Sequence, residues 1–214
     1  MAPASSARPL LRGVSHRVAF HVALVAGAIL ILTSSDARSR IANAIYVASL
    51  AGMFGVSATL HRADWSPRAF GWLRRADHAM IFACIAGTYT PLCLLGVNSP
   101  RGTQMLALEW AAAGLGILRA MLWPHAPRLI SSALYVAVGW VMAAYLPEVH
   151  RTLDPLAFAL VIAGGALFTV GALIYLLRWP DPWPRVFGYH EVFHVLIILG
   201  CTCHFIAVCR VAHP

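Results

Sequence analysis

Seven apolar runs of roughly bilayer-spanning length follow one another along this chain, separated only by short loops. That succession fixes the solvent before any motif is read. A bilayer's hydrocarbon core is about 30 Å thick and takes about 20 helical residues to cross. The runs lie at 18–33, 41–60, 78–97, 103–123, 129–146, 156–177 and 188–209. Only 11% of the 214 residues are charged and mean hydropathy is +0.73, whereas a soluble domain carries about 25% charged residues. The expected fold is therefore all-α, an integral membrane bundle of seven transmembrane helices. It forms one domain over residues 17–210 behind a short tail, residues 1–16. A β-barrel is excluded, because its strands would alternate polar and apolar residues over about ten positions. The tail is polar and the first run is followed by no small-residue cleavage site, so the segment is expected to be retained.

Charge placement orients the bundle. Every one of the 16 basic residues is arginine, against eight acids, and they sit in the tail and loops. On the N-terminal side stand eleven (8, 12, 17, 62, 68, 74, 75, 119, 128, 178 and 185), and on the other side five. Positive charge stays inside, so the N-terminus is expected in the cytoplasm and the C-terminus in the periplasm or outside the cell. Trp65, Trp72, Trp123, Trp179 and Trp183 fall on the cytoplasmic side and suit an interfacial aromatic belt. The arginines then anchor helices to phospholipid headgroups rather than bind nucleic acid. The cell's inner (plasma) membrane is the expected location, membrane lipids are the expected substrate or ligand, and no protein partner is expected. The five cysteines lie in or beside apolar runs, as small core fillers do, and make no disulfide framework.

Ionisable groups inside membrane helices are costly, so each is a candidate for function. His190 and His194 are four apart at the start of the seventh run and share a helix face. Such a pair either binds one metal ion or simply hydrogen-bonds neighbouring helices. Span parity supplies a third ligand. The end of the second run (Ser57, His61), the start of the third (Asp77) and the start of the seventh all face the cytoplasm. Three histidines with one open position form a catalytic type of zinc site, and neutral imidazoles suit Zn2+. Asp77 would stand just outside the metal and orient or deprotonate its water. Ser57 shares the face of His61, four residues away.

Other groups are weighed against that centre. His204 lies about 15 Å along the helix from His194 at 1.5 Å per residue, so it is expected to be a polar, cavity-lining group. His78 points about 100° away from Asp77 around its helix and is not expected to be a ligand. His16, His21, His125, His150 and His213 are terminal, in loops or isolated, and receive no role. Glu109 is an intramembrane acid for which interhelical pairing is the simplest account. His190-Glu191-Val-Phe-His194 also matches H-E-x-x-H, in which the glutamate is the general base of a metalloprotease. No Leu-Asp-Gly segment of the kind that accompanies intramembrane members occurs on a later helix.

Taken together, Ser57-x-x-x-His61, Arg75-x-Asp77-His78, Ile85-Ala-Gly-Thr-Tyr-Thr-Pro91 and His190-Glu-Val-Phe-His194 leading to His204-Phe resemble the hemolysin III family. These are bacterial relatives of the progestin and adipoQ (adiponectin) receptors, and the likeness runs from about residue 17 to 208. The resemblance implies a zinc site in the inner leaflet at His61, His190 and His194. It also implies a water touched by Asp77, with Ser57 nearby. The receptors often carry Gln where this chain has Glu191, which favours Asp77 as the base. Members are linked to hydrolysis of lipid amides of the ceramide type, hormone reception, control of membrane fluidity and pore-forming lysis. The stretch before the first run is short beside the animal receptors' extension, so hormone reception is not expected. Three functions stay open on the sequence: a zinc-dependent hydrolase of lipid amide or ester bonds with Asp77 and Ser57 in its catalytic machinery, a membrane-homeostasis sensor with structural zinc, and a pore-forming lysin.

Overall fold

The computed structural model of the chain describes residues 9–213, so residues 1–8 of the expected tail lie outside the described residues. Eight α-helices follow: α1 (Val14–Leu32), α2 (Ala37–Arg62), α3 (Pro67–Pro91), α4 (Pro100–Leu122), α5 (Arg128–Gly139), α6 (Leu146–Thr152), α7 (Pro155–Leu177) and α8 (Tyr189–Ala212). A π-helical turn, Leu92–Val97, continues α3, and a 3-10 stretch, Val141–Tyr145, joins α5 to α6 into one span. Seven segments are thus long and apolar enough to cross a membrane. Among the described residues the only β-feature is an isolated bridge between Trp183 and Phe187.

Helix starts are written in side chains that bond the free backbone N–H groups of the first turn. Asp36 accepts from Ser39 N at 2.9 Å, Ser66 from Ala69 N at 3.3 Å, Ser99 from Gly102 N at 3.2 Å, and Asp154 from Leu156 and Ala157 N at 3.1 and 3.2 Å. At three of these ends proline follows the cap, as Ser66-Pro67, Ser99-Pro100 and Asp154-Pro155, where its missing N–H costs nothing. The first of these overturns an expected boundary. The third span begins at Pro67 instead of 78, because its first eleven residues are amphipathic and helical without being apolar. Similarly, α1 begins at Val14, inside the segment expected to be tail.

Packing makes a ring. Neighbours in sequence α1, α2, α3 and α4 pack in order, α7 packs along α8, and α8 closes onto α1. α3 also touches α5 and α8 across it. Burial follows: 61% of the residues in the apolar windows of α2 and α3 are buried, against 22–28% in the other spans, whose remaining side chains face outward. α2 and α3 approach closely at Gly87, where an added Cβ would sit 1.9 Å from Ser49 Oγ. Two breaks are repaired internally, as a bilayer requires. Tyr89 Oη donates to the Gly139 carbonyl at 2.8 Å and accepts from Met142 N at 2.9 Å, bridging the interruption after α5. The π-turn follows Pro91, whose ring removes one N–H from the ladder, and ends at Asn98 in a left-handed conformation. The five tryptophans expected in the interfacial belt are all exposed.

Candidate metal centre

The last turn of α2 brings His61 against the first two turns of α8, which carry His190 and His194. One candidate ligand atom from each lies within 4.8 Å of the others. His61 Nε2 and His190 Nε2 are 3.2 Å apart, and the His190 and His194 ring centroids 4.5 Å. Two nitrogens on one tetrahedral zinc, each about 2.0–2.1 Å from it, stand about 3.3 Å apart. The observed pair fits that edge, and a small inward shift of His194 would complete the face. His194 is 1% exposed, and its Nδ1 has no hydrogen-bond partner among the described residues. All three groups offer imidazole nitrogen, a donor set suited to zinc.

Asp77 of α3 and Ser57 of α2 share a cavity lining with His194, with the Ser57 hydroxyl near the Asp77 carboxyl. The cavity has a volume of about 160 Å³. Most of its wall is apolar, with side chains such as Met53, Ile85, Leu92 and Ile197, and polar groups including Thr88, Thr169 and His204 line it as well. His61 lines a second pocket of about 310 Å³ with Arg74, His78, Arg128 and Tyr175. The histidine cluster therefore borders two unlike pockets, His194 on the apolar one and His61 on the basic one, and the two share His78 and Tyr175.

The remaining candidates have definite places. His204 lines the apolar cavity and its Nε2 lies 3.1 Å from the Val161 carbonyl, away from the cluster. His78 Nδ1 lies 2.7 Å from Tyr135 Oη. Both carboxyl oxygens of Glu109 are buried without a hydrogen-bond partner among the described residues, so the expected interhelical pairing is not there. The five cysteines are free.

Glu191 is engaged elsewhere. It is 2% exposed, accepts from Gly188 N at 2.8 Å and pairs with Arg12 Nε. Arg12 belongs to a segment, 9–13, that straps the amino end of α8. Leu10 N and Leu11 N donate to the Arg185 and Val186 carbonyls, both at 3.1 Å. The strap ends at Gly13 (φ 73°), where an added Cβ would lie 2.8 Å from His61 Cβ. Three residues on, His16 stacks on His194 with centroids 3.6 Å apart and planes 5° from parallel. His16 had received no role, and it lines the same cavity as Asp77. The sequence did carry a signal, since a histidine in an apolar helix is a candidate by default. Its place two residues before the apolar run at 18–33 puts it, by hydropathy alone, in the polar tail.

Residues 5–205 match the sequence model of the family described as "Haemolysin-III related". The chain belongs to that family. Among Haemolysin-III relatives it is 27% identical to "Hemolysin-3" of Bacillus cereus over 202 residues, 93% of this chain and 89% of that one. It is 28% identical to "Hemolysin-3 homolog" of Bacillus subtilis (strain 168), over 72% of this chain and 69% of that one. It is 30% identical to "Heptahelical transmembrane protein ADIPOR2" of Oryza sativa subsp. japonica, over 72% and 74%. Membership together with seven apolar spans makes the chain a multi-pass integral membrane protein.

Proposed function

We propose that this Haemolysin-III protein is a zinc-dependent hydrolase of lipid amide or ester bonds, working at the cytoplasmic leaflet of a plasma membrane. The observation that carries the reading is that the histidine cluster borders two unlike pockets, His194 on one and His61 on the other. A lipid hydrolase needs water and acyl chain to meet at one point. The basic pocket beside His61 offers a way in for water, and the apolar cavity beside His194 fits a hydrocarbon chain. At about 15 Å³ per water-sized group the cavity holds about ten such groups, the scale of a medium acyl chain.

His61, His190 and His194 would hold the metal. Zinc, when bound, supplies Lewis acidity: it brings the pKa of water to about 7 and polarises a carbonyl oxygen. The chain's own part falls to Asp77 and Ser57. Asp77 accepts the proton of the attacking water and returns it to the leaving nitrogen or oxygen as the acyl C–N or C–O bond breaks. Water oxygen joins the acyl carbon, so the products are a fatty acid and an amine or alcohol. Ser57, by bonding Asp77, holds that carboxylate in one orientation for both transfers. Glu191 takes no part, because Arg12 and the Gly188 amide occupy its two oxygens.

Metal content of the purified protein and fatty-acid release from ceramide-like lipids and ester lipids test this. The expected result is one zinc per chain, lost in His61→Ala, and hydrolysis that falls at least 100-fold in Asp77→Asn with zinc retained. Stoichiometric zinc with no Asp77-dependent hydrolysis defeats the enzymatic part and leaves zinc as a brace between α2 and α8. Dye release from pure liposomes that survives chelation would instead favour a lysin.

A further inference from the structure

His16 lies outside every motif that defines the centre, yet it touches it. It stands in the first turn of α1, 3% exposed, packed with one face on the His194 ring and set edge-on to Phe54 at 5.1 Å and 65°. Neither of its ring nitrogens has a hydrogen-bond partner among the described residues. One of them lies near the His194 backbone without making a well-formed bond, so the main contact of His16 with the centre is the flat of its ring.

A histidine that binds metal must present one nitrogen along a fixed line. Usually its other ring nitrogen donates to a carboxylate or carbonyl, which sets both tautomer and orientation. Among the described residues that device is missing at His194, whose Nδ1 has no hydrogen-bond partner there. The torsion that turns an imidazole about its Cβ–Cγ bond is broad, so without such a bond only packing fixes the plane. A ring lying parallel at 3.6 Å does so, because any sizeable rotation of His194 drives a ring edge into its neighbour.

We propose that His16 is a positioning residue of the metal centre, holding the ring plane of His194 by face-to-face contact where other sites use a hydrogen bond. The proposal rests on the zinc reading above. Three further contacts set the height of His16 against α8: the strap's two backbone bonds to residues 185 and 186, the Arg12–Glu191 pair, and the seat of Gly13 on His61. The amino end of α1 is thus a working part of the centre, although it contributes no ligand.

The test is the affinity of the full-length protein in detergent for zinc, by chelator competition, with the visible spectrum of the cobalt form as a second readout. Loss of an orienting contact costs about 10–100-fold in metal affinity. His16→Ala is expected to lose that much and to alter the cobalt spectrum. His16→Phe, which keeps a flat ring, should stay within about threefold of the parent, well short of that loss. His16→Gln, which keeps polar atoms and loses the ring, should resemble His16→Ala. Melting in excess chelator separates this from a general packing defect, since a positioning role leaves the metal-free proteins alike. Unchanged affinity in His16→Ala overturns the proposal, as does a His16→Phe protein that binds no better than His16→Gln. Should His16→Ala not fold, the Phe and Gln pair decides alone. If the parent binds no zinc, or His61→Ala binds as well as the parent, the metal reading itself has failed, an outcome distinct from both.

Discussion

Arg12 and Glu191 make an ion pair whose two members should respond unequally to removal. Glu191 is 2% exposed and each of its oxygens has one donor, Arg12 Nε for one and Gly188 N for the other. The Arg12 side chain is 20% exposed, so on losing its partner it can still reach water or headgroups. Arg12→Met strips a buried carboxylate of its counter-charge. Breaking a fully buried pair costs about 3–5 kcal/mol and an exposed one about 0–1, so a pair with one member partly exposed should cost about 2–3 kcal/mol. Glu191→Gln keeps an acceptor for Gly188 N and leaves no buried charge, and should cost about 1 kcal/mol. In the double variant the stranded carboxylate is gone, so its cost should lie near that of Glu191→Gln, a coupling of about 2 kcal/mol. Equilibrium unfolding in mixed micelles measures all three. Equal single costs that simply add would refute the idea of a buried pair. Glu191→Gln should also retain Asp77-dependent hydrolysis. Full loss of activity at unchanged stability would restore Glu191 as the base of an H-E-x-x-H site.

Further outcomes are expected. Gly13→Ala puts a side chain in left-handed backbone, at about 1–2 kcal/mol, and against His61 Cβ at 2.8 Å, so zinc affinity should drop about tenfold in chelator competition. Tyr89→Phe strands the Gly139 carbonyl and the Met142 amide inside the bundle, and should lower unfolding free energy by about 2–3 kcal/mol while leaving zinc content unchanged. Asp36, in the loop before α2, has its carboxyl held below the ordinary 3.8, chiefly by the Ser39 amide. A lowered folded-state pKa stabilises above the unfolded value, and that gain is lost as pH falls through the folded one. The melting difference between the parent and Asp36→Ala should therefore be full at neutral pH and close below pH 3.8. A difference that persists in acid would show that the charge is not its cause.

The spans were legible because hydropathy averages over about 20 residues and a bilayer permits little else. Their ends were legible only where apolarity and helix coincide. At α3 they do not: 67–77 carries Arg68, Trp72, Arg74 and Arg75, and Ser66-Pro67, a start signal, was overlooked. Breaks at 92–97 and 141–145 were not foreseen, although Pro91 and the Gly139-Trp140 step stand at their thresholds. Within the candidate site, His190 and His194 follow from helical period, and His61 and Asp77 from span parity, which fixes depth but not distance. The stack of His16 on His194 depends on how α1 leans on α8. No periodicity within either helix encodes that angle.

That lean has a consequence for how the centre assembles. Two of its histidines sit one turn apart on α8, so their spacing is set as soon as that helix forms. His61 comes from α2, and its 3.2 Å approach to His190 requires two helices far apart in sequence to reach one register. α1 and α3 each pack against both α2 and α8, one on either side, so the register is held by helices that supply no ligand. A metal ion there stabilises only the closed ring, by about 2.7 kcal/mol when present at 100 times its dissociation constant. Zinc affinity and closure of the bundle are therefore two readings of one equilibrium. Any change that lets α1 drift, at Arg12 or Gly13, must appear in both.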